Sequence, residues 1–136
     1  MLSPLFVMKG FENMKLKAVD ILNKFEAFSK LADKEIDLSS ACVIAKNIKE
    51  LAIYKDEFDK KRDKLIIEYA EKDEDGNIVQ HDGDGIKIID VDAFNKEFAE
   101  ILNTDIEVDI IKLNKDSLSE IKVSAKDILP LTDILE

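Results

Sequence analysis

The chain is poor in the residues that build rigid chemical sites. Its 136 residues hold one cysteine, Cys42, and one histidine, His81. A lone cysteine cannot close an internal disulfide, and the two together cannot assemble a Cys/His zinc site, so the cysteine usage fits a reducing compartment. Tryptophan is absent, and there are only 4 glycines and 2 prolines. With 46% hydrophobic and 37% charged residues, a collagenous, low-complexity or disordered chain is excluded. No apolar run approaches the ~20 residues that a membrane span requires. The stretch from Leu2 to Met8 is short and has no basic start, so it does not read as a secretion signal. A Gly-rich phosphate loop, a G-x-S-x-G elbow and an H-E-x-x-H helix are all missing. No catalytic residue, metal site or cofactor is expected.

The length is that of one domain with one core. A net charge of −10 is unevenly spread. Residues 1–72 carry 14 Lys/Arg against 13 Asp/Glu, and residues 73–136 carry 6 against 17. The acidic half should repel nucleic acid and anionic membranes and be drawn to basic protein surfaces.

Apolar residues from Leu16 to Ala32 (Leu16, Val19, Leu22, Phe25, Phe28, Leu31) recur at helical spacing and predict an amphipathic helix. After a connection over Asp33–Leu38, with Ser39 or Ser40 as cap, no Gly or Pro interrupts Ser40 to Lys72. Ile44, Ile48, Leu51, Phe58, Leu65 and Tyr69 mark its stripe, and Lys55 and Arg62 fill the remaining seam positions. Some thirty residues at ~1.5 Å each make a rod of roughly 45 to 50 Å. Its overhang beyond the first helix must be covered by the C-terminal half or by a second chain, which would make a homodimer through this helix. The mixed-sign cluster from Asp56 to Lys64 reads as a solvated helix face.

Beyond Lys72 the pattern becomes turn-rich, with short runs Ile78 to Gln80 and Ile86 to Ile89 predicting a β-hairpin or an irregular excursion. An EF-hand frame placing Gly85 at loop position 6 puts Gln80 at position 1 and Val91 at position 12, so two of the strongest ligands are missing and turn chemistry explains the acids better. Asp90 or Asp92 caps a third helix to about Leu102, burying Phe94, Phe98, Ile101 and Leu102. Asp105 to Ile110 alternates as a strand, and the alternation breaks at Ile110-Ile111 as a bulge or change of burial requires. Ser124 and Asp127 cap a short last helix that Pro130 bends or ends. His81 reads as an exposed loop side chain, and Cys42, among Ala41, Val43 and Ile44, as a buried structural thiol.

The expected fold is therefore α+β: an N-terminal antiparallel helical hairpin with one long helix, a small β-hairpin, helix and strand unit, and a short C-terminal helix. Residues 1–13 read as a flexible extension, with Met14 as an alternative start. Residues 14–136 read as one domain, helical over 14–72 and acidic over 73–136. Period-two geometry puts Asp105, Glu107 and Asp109 on one strand face at steps of roughly 6.6 to 6.8 Å. With Glu97 and Glu100 on the preceding helix, they form a candidate phosphate-like track for a basic groove. Glu68, Tyr69 and Glu71 would extend it.

Several segments together resemble a family of small phage and prophage proteins of Gram-positive bacteria, known only as a domain of unknown function. They are Met14-Lys15-Leu16-Lys17, Ala45-Lys46-Asn47-Ile48-Lys49, Lys64-Leu65-Ile66-Ile67-Glu68-Tyr69, Glu71-Lys72-Asp73-Glu74-Asp75-Gly76-Asn77, Phe94-Asn95-Lys96-Glu97, and the run from Leu102 to Ile110. The likeness covers about 14–136. It implies a viral origin and supplies no catalytic residue. The expectation is a non-enzymatic protein-binding module of a phage or prophage, working in the cytoplasm of the host cell. In its sharpest form it inhibits a host-defence protein, anti-CRISPR-like, by occupying a basic nucleic-acid-binding surface. It contacts neither nucleic acid nor membrane. The alternative is a virion assembly or tail-accessory protein acting through the long helix, and an enzyme using paired carboxylates ranks behind both.

Overall fold

The long helix sets the layout, because every other element packs along it or along what it supports. The computed structural model describes residues 11–83 and 85–135. In order these are β1 (Phe11–Lys17), α1 (Ala18–Ala32), α2 (Leu38–Tyr69), α3 (Val91–Leu102), β2 (Asp105–Ile111) and α4 (Ala125–Ile128), with 3₁₀ turns at Lys115–Leu118 and Leu129–Ile134. The fold is α+β. No helix among the described residues is long and apolar enough to cross a membrane.

Helix α1 buries Ile21, Lys24, Ala27, Phe28 and Leu31, the spacing of one helical face. Helix α2 is capped by Asp37, not by Ser39 or Ser40: the Asp37 carboxylate accepts from the Ser40 N–H at 3.0 Å. Hydrogen bonds from the Ser40 side chain and then its backbone hold the Asp37 pKa below the ordinary value. The helix stops at Tyr69, short of the expected Lys72, because Ala70 turns into extended backbone and begins a run of bridges.

The N-terminal expectation needs two corrections. Met14 to Lys17 is strand, not the start of the first helix, and residues 11–13 belong to the same strand instead of a flexible extension. Residues 1–10 of that extension lie outside the described residues. The physical reason is a partner far along the chain: β1 pairs antiparallel with β2, one residue against one, from Phe11↔Ile111 to Lys17↔Asp105. Leu16 faces the core while Lys15 and Lys17 face out, a period-two pattern that the helix beginning at Ala18 obscures. The expected bulge at Ile110-Ile111 is absent, since the pairing runs unbroken through Ile111, but burial changes there: Ile111 is half-buried on the face that carries Asp109.

The outer edge of β2 lies against α2. Asn47, buried on the helix, donates from Nδ2 to the Ile111 carbonyl and accepts from the Ile111 N–H, both at 2.9 Å. One turn on, Glu50 Oε2 accepts from the Asp109 N–H at 3.1 Å. The helix thus stands in for a third strand. Inside this frame Phe28, Ile21, Ile44, Leu51, Val108, Ile110, Leu113, Leu131 and Ile134 form the core. The C-terminal segment is held on it by Lys24, whose buried ammonium donates to the Pro130 carbonyl and to Asp133, each at 2.7 Å. Ser124 caps α4 by accepting from the Asp127 N–H at 3.1 Å, and the 3₁₀ turn containing Pro130 follows.

The overhang of α2 is covered from within the chain. Phe58 and Leu65 are buried, and the Phe58 ring meets Phe98 of α3 edge-on at 5.9 Å between centroids. Tyr69 meets Phe94 in the same manner at 6.1 Å. Helix α3 is capped by Asp90, which accepts from the Ala93 N–H, and Phe94, Phe98, Ile101 and Leu102 are half-buried rather than fully buried. The seam on which helix-mediated oligomerisation would rest is therefore already filled.

Two measurements check this account. Asn47→Ala leaves both polar groups of Ile111 without partners and should lower stability by about 2–4 kcal/mol in urea unfolding. Leu65→Ala should cost about 2–4 kcal/mol while leaving the sedimentation coefficient unchanged, because the side chain fills an intramolecular site.

Candidate functional site

The carboxylate row exists, and it is not alone on its face. Asp105, Glu107 and Asp109 are all exposed on one side of β2, as their alternation requires. Directly opposite them on β1 stand Lys17, Lys15 and Asn13. Residues opposite each other in an antiparallel pair share a face, with Cβ atoms roughly 4.5 to 5.5 Å apart. Asn13 Nδ2 donates to Asp109 Oδ1 at 3.2 Å. A row of negative charge flanked by ammonium groups is a mixed-sign ladder, so its field falls away from that of a phosphate backbone.

Glu97 and Glu100 do not join this row. They project from α3 into a groove of about 360 Å³ against α2, lined also by Lys61, Lys64, Leu65, Glu68, Ile101 and Thr104. Glu97 Oε2 is buried and makes no hydrogen bond among the described residues. The neighbouring Glu97 carboxylate, which favours the protonated phenol, then burial, then the charges of Glu68 and Asp90 raise the Tyr69 pKa above its ordinary value. The five sequence-derived residues thus divide between a strand face and a helix groove. Of the three proposed to extend them, Glu68 lines the groove and Tyr69 borders it, whereas Glu71 lies elsewhere.

Glu71 sits at the centre of a small three-armed unit at the far end of α2. Its N–H donates to the Lys87 carbonyl and its carbonyl accepts from the Val79 N–H, both at 2.9 Å. Bridges Ala70↔Ile88, Lys72↔Ile78 and Gln80↔Ile86 complete the arms. The first turn is made by Asp73, whose Oδ1 accepts from the N–H groups of Asp75 and Asn77 at 2.9 and 3.0 Å, with Gly76 at φ 82°. Such an Asx turn followed by a left-handed residue is what Asp and Gly favour there. His81 Nε2 lies 3.3 Å from Glu71 Oε1, and Lys87 Nζ 3.8 Å from Glu71 Oε2. Among the described residues no group of three or more His, Cys, Asp or Glu side chains is arranged to hold a metal ion. Asp84, position 5 of the EF-hand frame, lies outside them.

This end of the molecule carries exposed Asp73, Glu74, Asp75, Asp82, Asp90 and Asp92 against exposed Lys72 and Lys87. It also exposes apolar side chains: Ile89 is 65% accessible, Val91 55% and Ile67 53%. The runs Ile78 to Gln80 and Ile86 to Ile89 do meet, through the Gln80↔Ile86 bridge, as the hairpin reading expects. Nothing in the sequence signals the bridges from Ala70 and Lys72 that tie them to the end of α2, because those two residues read as the end of the helix.

The mixed-sign stretch of α2 is internally paired. Asp59 accepts from Lys55 at 2.8 Å and lies 3.3 Å from Arg62, and the hydrogen bond to Lys55 is the main cause of a lowered Asp59 pKa. Cys42 is exposed, which overturns the reading of a buried thiol. It sits two residues from Ile44, about 200° around the helix, and so lies away from the buried stripe.

Against known proteins, the chain matches no family model, no curated protein and no solved structure.

The groove geometry gives a direct titration test. With Tyr54→Phe leaving Tyr69 as the sole phenol, tyrosinate absorbance should develop above the ordinary value of 10.0. Adding Glu97→Gln should move that midpoint down.

Proposed function

We propose that this chain is a non-catalytic protein-binding module whose working surface is the acidic end of α2. The observation that carries the reading is the meeting, at that end, of six exposed carboxylates with exposed Ile67, Ile89 and Val91. Apolar side chains supply contact area, and the surrounding charge selects a basic partner and speeds its approach. The strand row is a weaker candidate because Lys15 and Lys17 stand opposite it. The resemblance to phage and prophage proteins makes a basic, nucleic-acid-binding protein of host defence the partner class of first interest. Attraction of this kind weakens as salt shortens the screening length from about 10 Å at 0.1 M to about 3 Å at 1 M.

The test uses three forms of the full chain as bait in a lysate of the bacterial host: the natural sequence, a tip variant (Asp73→Asn, Asp75→Asn, Asp82→Asn) and a strand variant (Asp105→Asn, Glu107→Gln, Asp109→Asn). The natural chain and the strand variant should retain the same basic protein at low salt and release it at high salt, while the tip variant loses it. Loss in the strand variant with retention in the tip variant moves the surface to β2. Equal behaviour of all three sinks the reading.

A further inference from the structure

The sheet has a second edge, and its chemistry differs from that of the acidic end. Asn47 and Glu50 reach the backbone of Ile111 and Asp109 from the side away from β1. Residues 109 and 111 therefore turn their N–H and C=O groups away from β1, and in an antiparallel ladder so do their partners, Asn13 and Phe11. The alternation extends the same orientation to Lys15, opposite Glu107. The next pairing beyond Lys17↔Asp105 agrees, since Ala18 N–H donates to the Thr104 carbonyl at 3.0 Å. The outer edge of β1 thus presents the backbone groups of Phe11, Asn13 and Lys15, and no strand or hydrogen bond reaches them among the described residues. Asn47 and Glu50 close one edge of this sheet. The other carries a ready template for strand addition.

The charges on that edge say what fits. On their β2 side Lys15 and Lys17 stand against Glu107 and Asp105, while Met14, half-buried, and Leu16, buried, face Val108 and Ile106. A strand laid on the outer edge meets the same β1 side chains from the opposite flank. Its best sequence therefore repeats the β2 pattern, with acids beside the lysines and apolar residues beside Met14 and Leu16. We propose that the free edge of β1 binds an extended segment of a partner protein with alternating acidic and apolar residues, adding it as a third strand. The net charge of the chain does not forbid this, because an acid on the added strand lies one strand from a lysine but two strands, roughly 9 to 10 Å, from the acids of β2, beyond the screening length of about 8 Å at physiological salt. This surface is independent of the acidic end of α2, and either can fail without the other.

The probe is a synthetic peptide with the sequence of residues 105–111, and its control carries lysine in place of the three acids. Amide hydrogen exchange of the full, isotope-labelled chain is followed by NMR. The acidic peptide should slow exchange at Asn13 and Lys15 about tenfold or more. Glu12, Met14 and Leu16, which already donate to β2, should not change, and the lysine peptide should have no effect. Lys15→Pro removes an outward donor while sparing the β1–β2 ladder, a position that an edge strand tolerates, and should abolish the response. Lys15→Gln with Lys17→Gln keeps the donors, loses the charge and should weaken the response several-fold, so the test survives if the proline variant fails to fold. Equal slowing by both peptides, or an unchanged response in a folded Lys15→Pro chain, overturns the proposal. So does slow exchange at Asn13 and Lys15 in the free chain, which would mean that the chain itself or a second copy already covers the edge. Faster exchange at Met14 and Leu16 on adding peptide would mean displacement of β2 and overturns it as well.

Discussion

The carboxamide of Asn47 is the contact on which the arrangement turns. A two-stranded sheet is marginal alone, and here its β2 edge is pressed against a helix where the backbone of Ile111 cannot be left to water. Asn47 meets both polar groups of that residue at once, which an asparagine can do because one side chain carries a donor and an acceptor. This fixes how α2 is rolled about its axis. With Asn47 facing the sheet, Ile44 and Leu51 lie on the same side one turn before and after, and both are buried. At 3.6 residues per turn, Phe58 and Leu65 fall within about 20° of Asn47 around the helix, so the same roll aims them at α3. One buried amide thus sets what covers each half of the rod.

The uneven charge of the chain takes on a different meaning once β1 and β2 are paired. The lysines of β1 come from the balanced half of the sequence and the carboxylates of β2 from the acidic half. Their pairing brings opposite signs face to face across ninety residues or so of intervening chain. A slip of one residue would turn Met14, Leu16, Val108 and Ile110 out of the core, so burial fixes the register and the charges agree with it. Part of the C-terminal acidity is therefore spent inside the fold as cross-strand complementarity. At the far end of α2, where Glu71 knits three short arms together, exposed Asp73, Glu74, Asp75, Asp82, Asp90 and Asp92 outnumber the exposed Lys72 and Lys87.

What could be read from the sequence followed how local the signal is. The three main helices, the alternation of β2, the Ser124 cap and the solvated stretch of α2 each rest on spacings within a few residues, and periodicity exposed them. Strand β1 was hidden because its four-residue alternation, Met14 to Lys17, runs straight into a helix, and its partner lies in the last third of the chain. Asn47 carried no signal at all, since a polar residue on a helical stripe reads as a defect until the strand edge beside it is known. For Cys42 the information was present, as its angle from Ile44 places it off the buried face. The candidate site divided for a related reason: a strand row and a helix pair can be placed on their own elements by period, but only the tertiary packing says that Glu97 and Glu100 face Lys61 and Lys64 across a groove instead of the strand.

The two halves of α2 are held with unequal firmness, and this bears on how each proposed surface would meet a partner. Among the described residues, the largest fully buried side chains lie in α1, the proximal part of α2, β2 or the C-terminal segment, and none of them comes from the stretch between Phe58 and Leu102. The distal half rests on aromatic edge contacts and the stacked pair Phe94 and Phe98, 5.9 Å apart, with no fully buried residue on α3. Fewer buried contacts mean a lower free energy of local opening than in the core. The acidic end is attached to this softer half, while the outer edge of β1 is built directly on the firm one. A partner docking at the distal end would therefore order the surface as it binds, losing affinity to that ordering and gaining tolerance of shape. An added strand on β1 would meet a backbone already set in place, and its selectivity would come from register and charge.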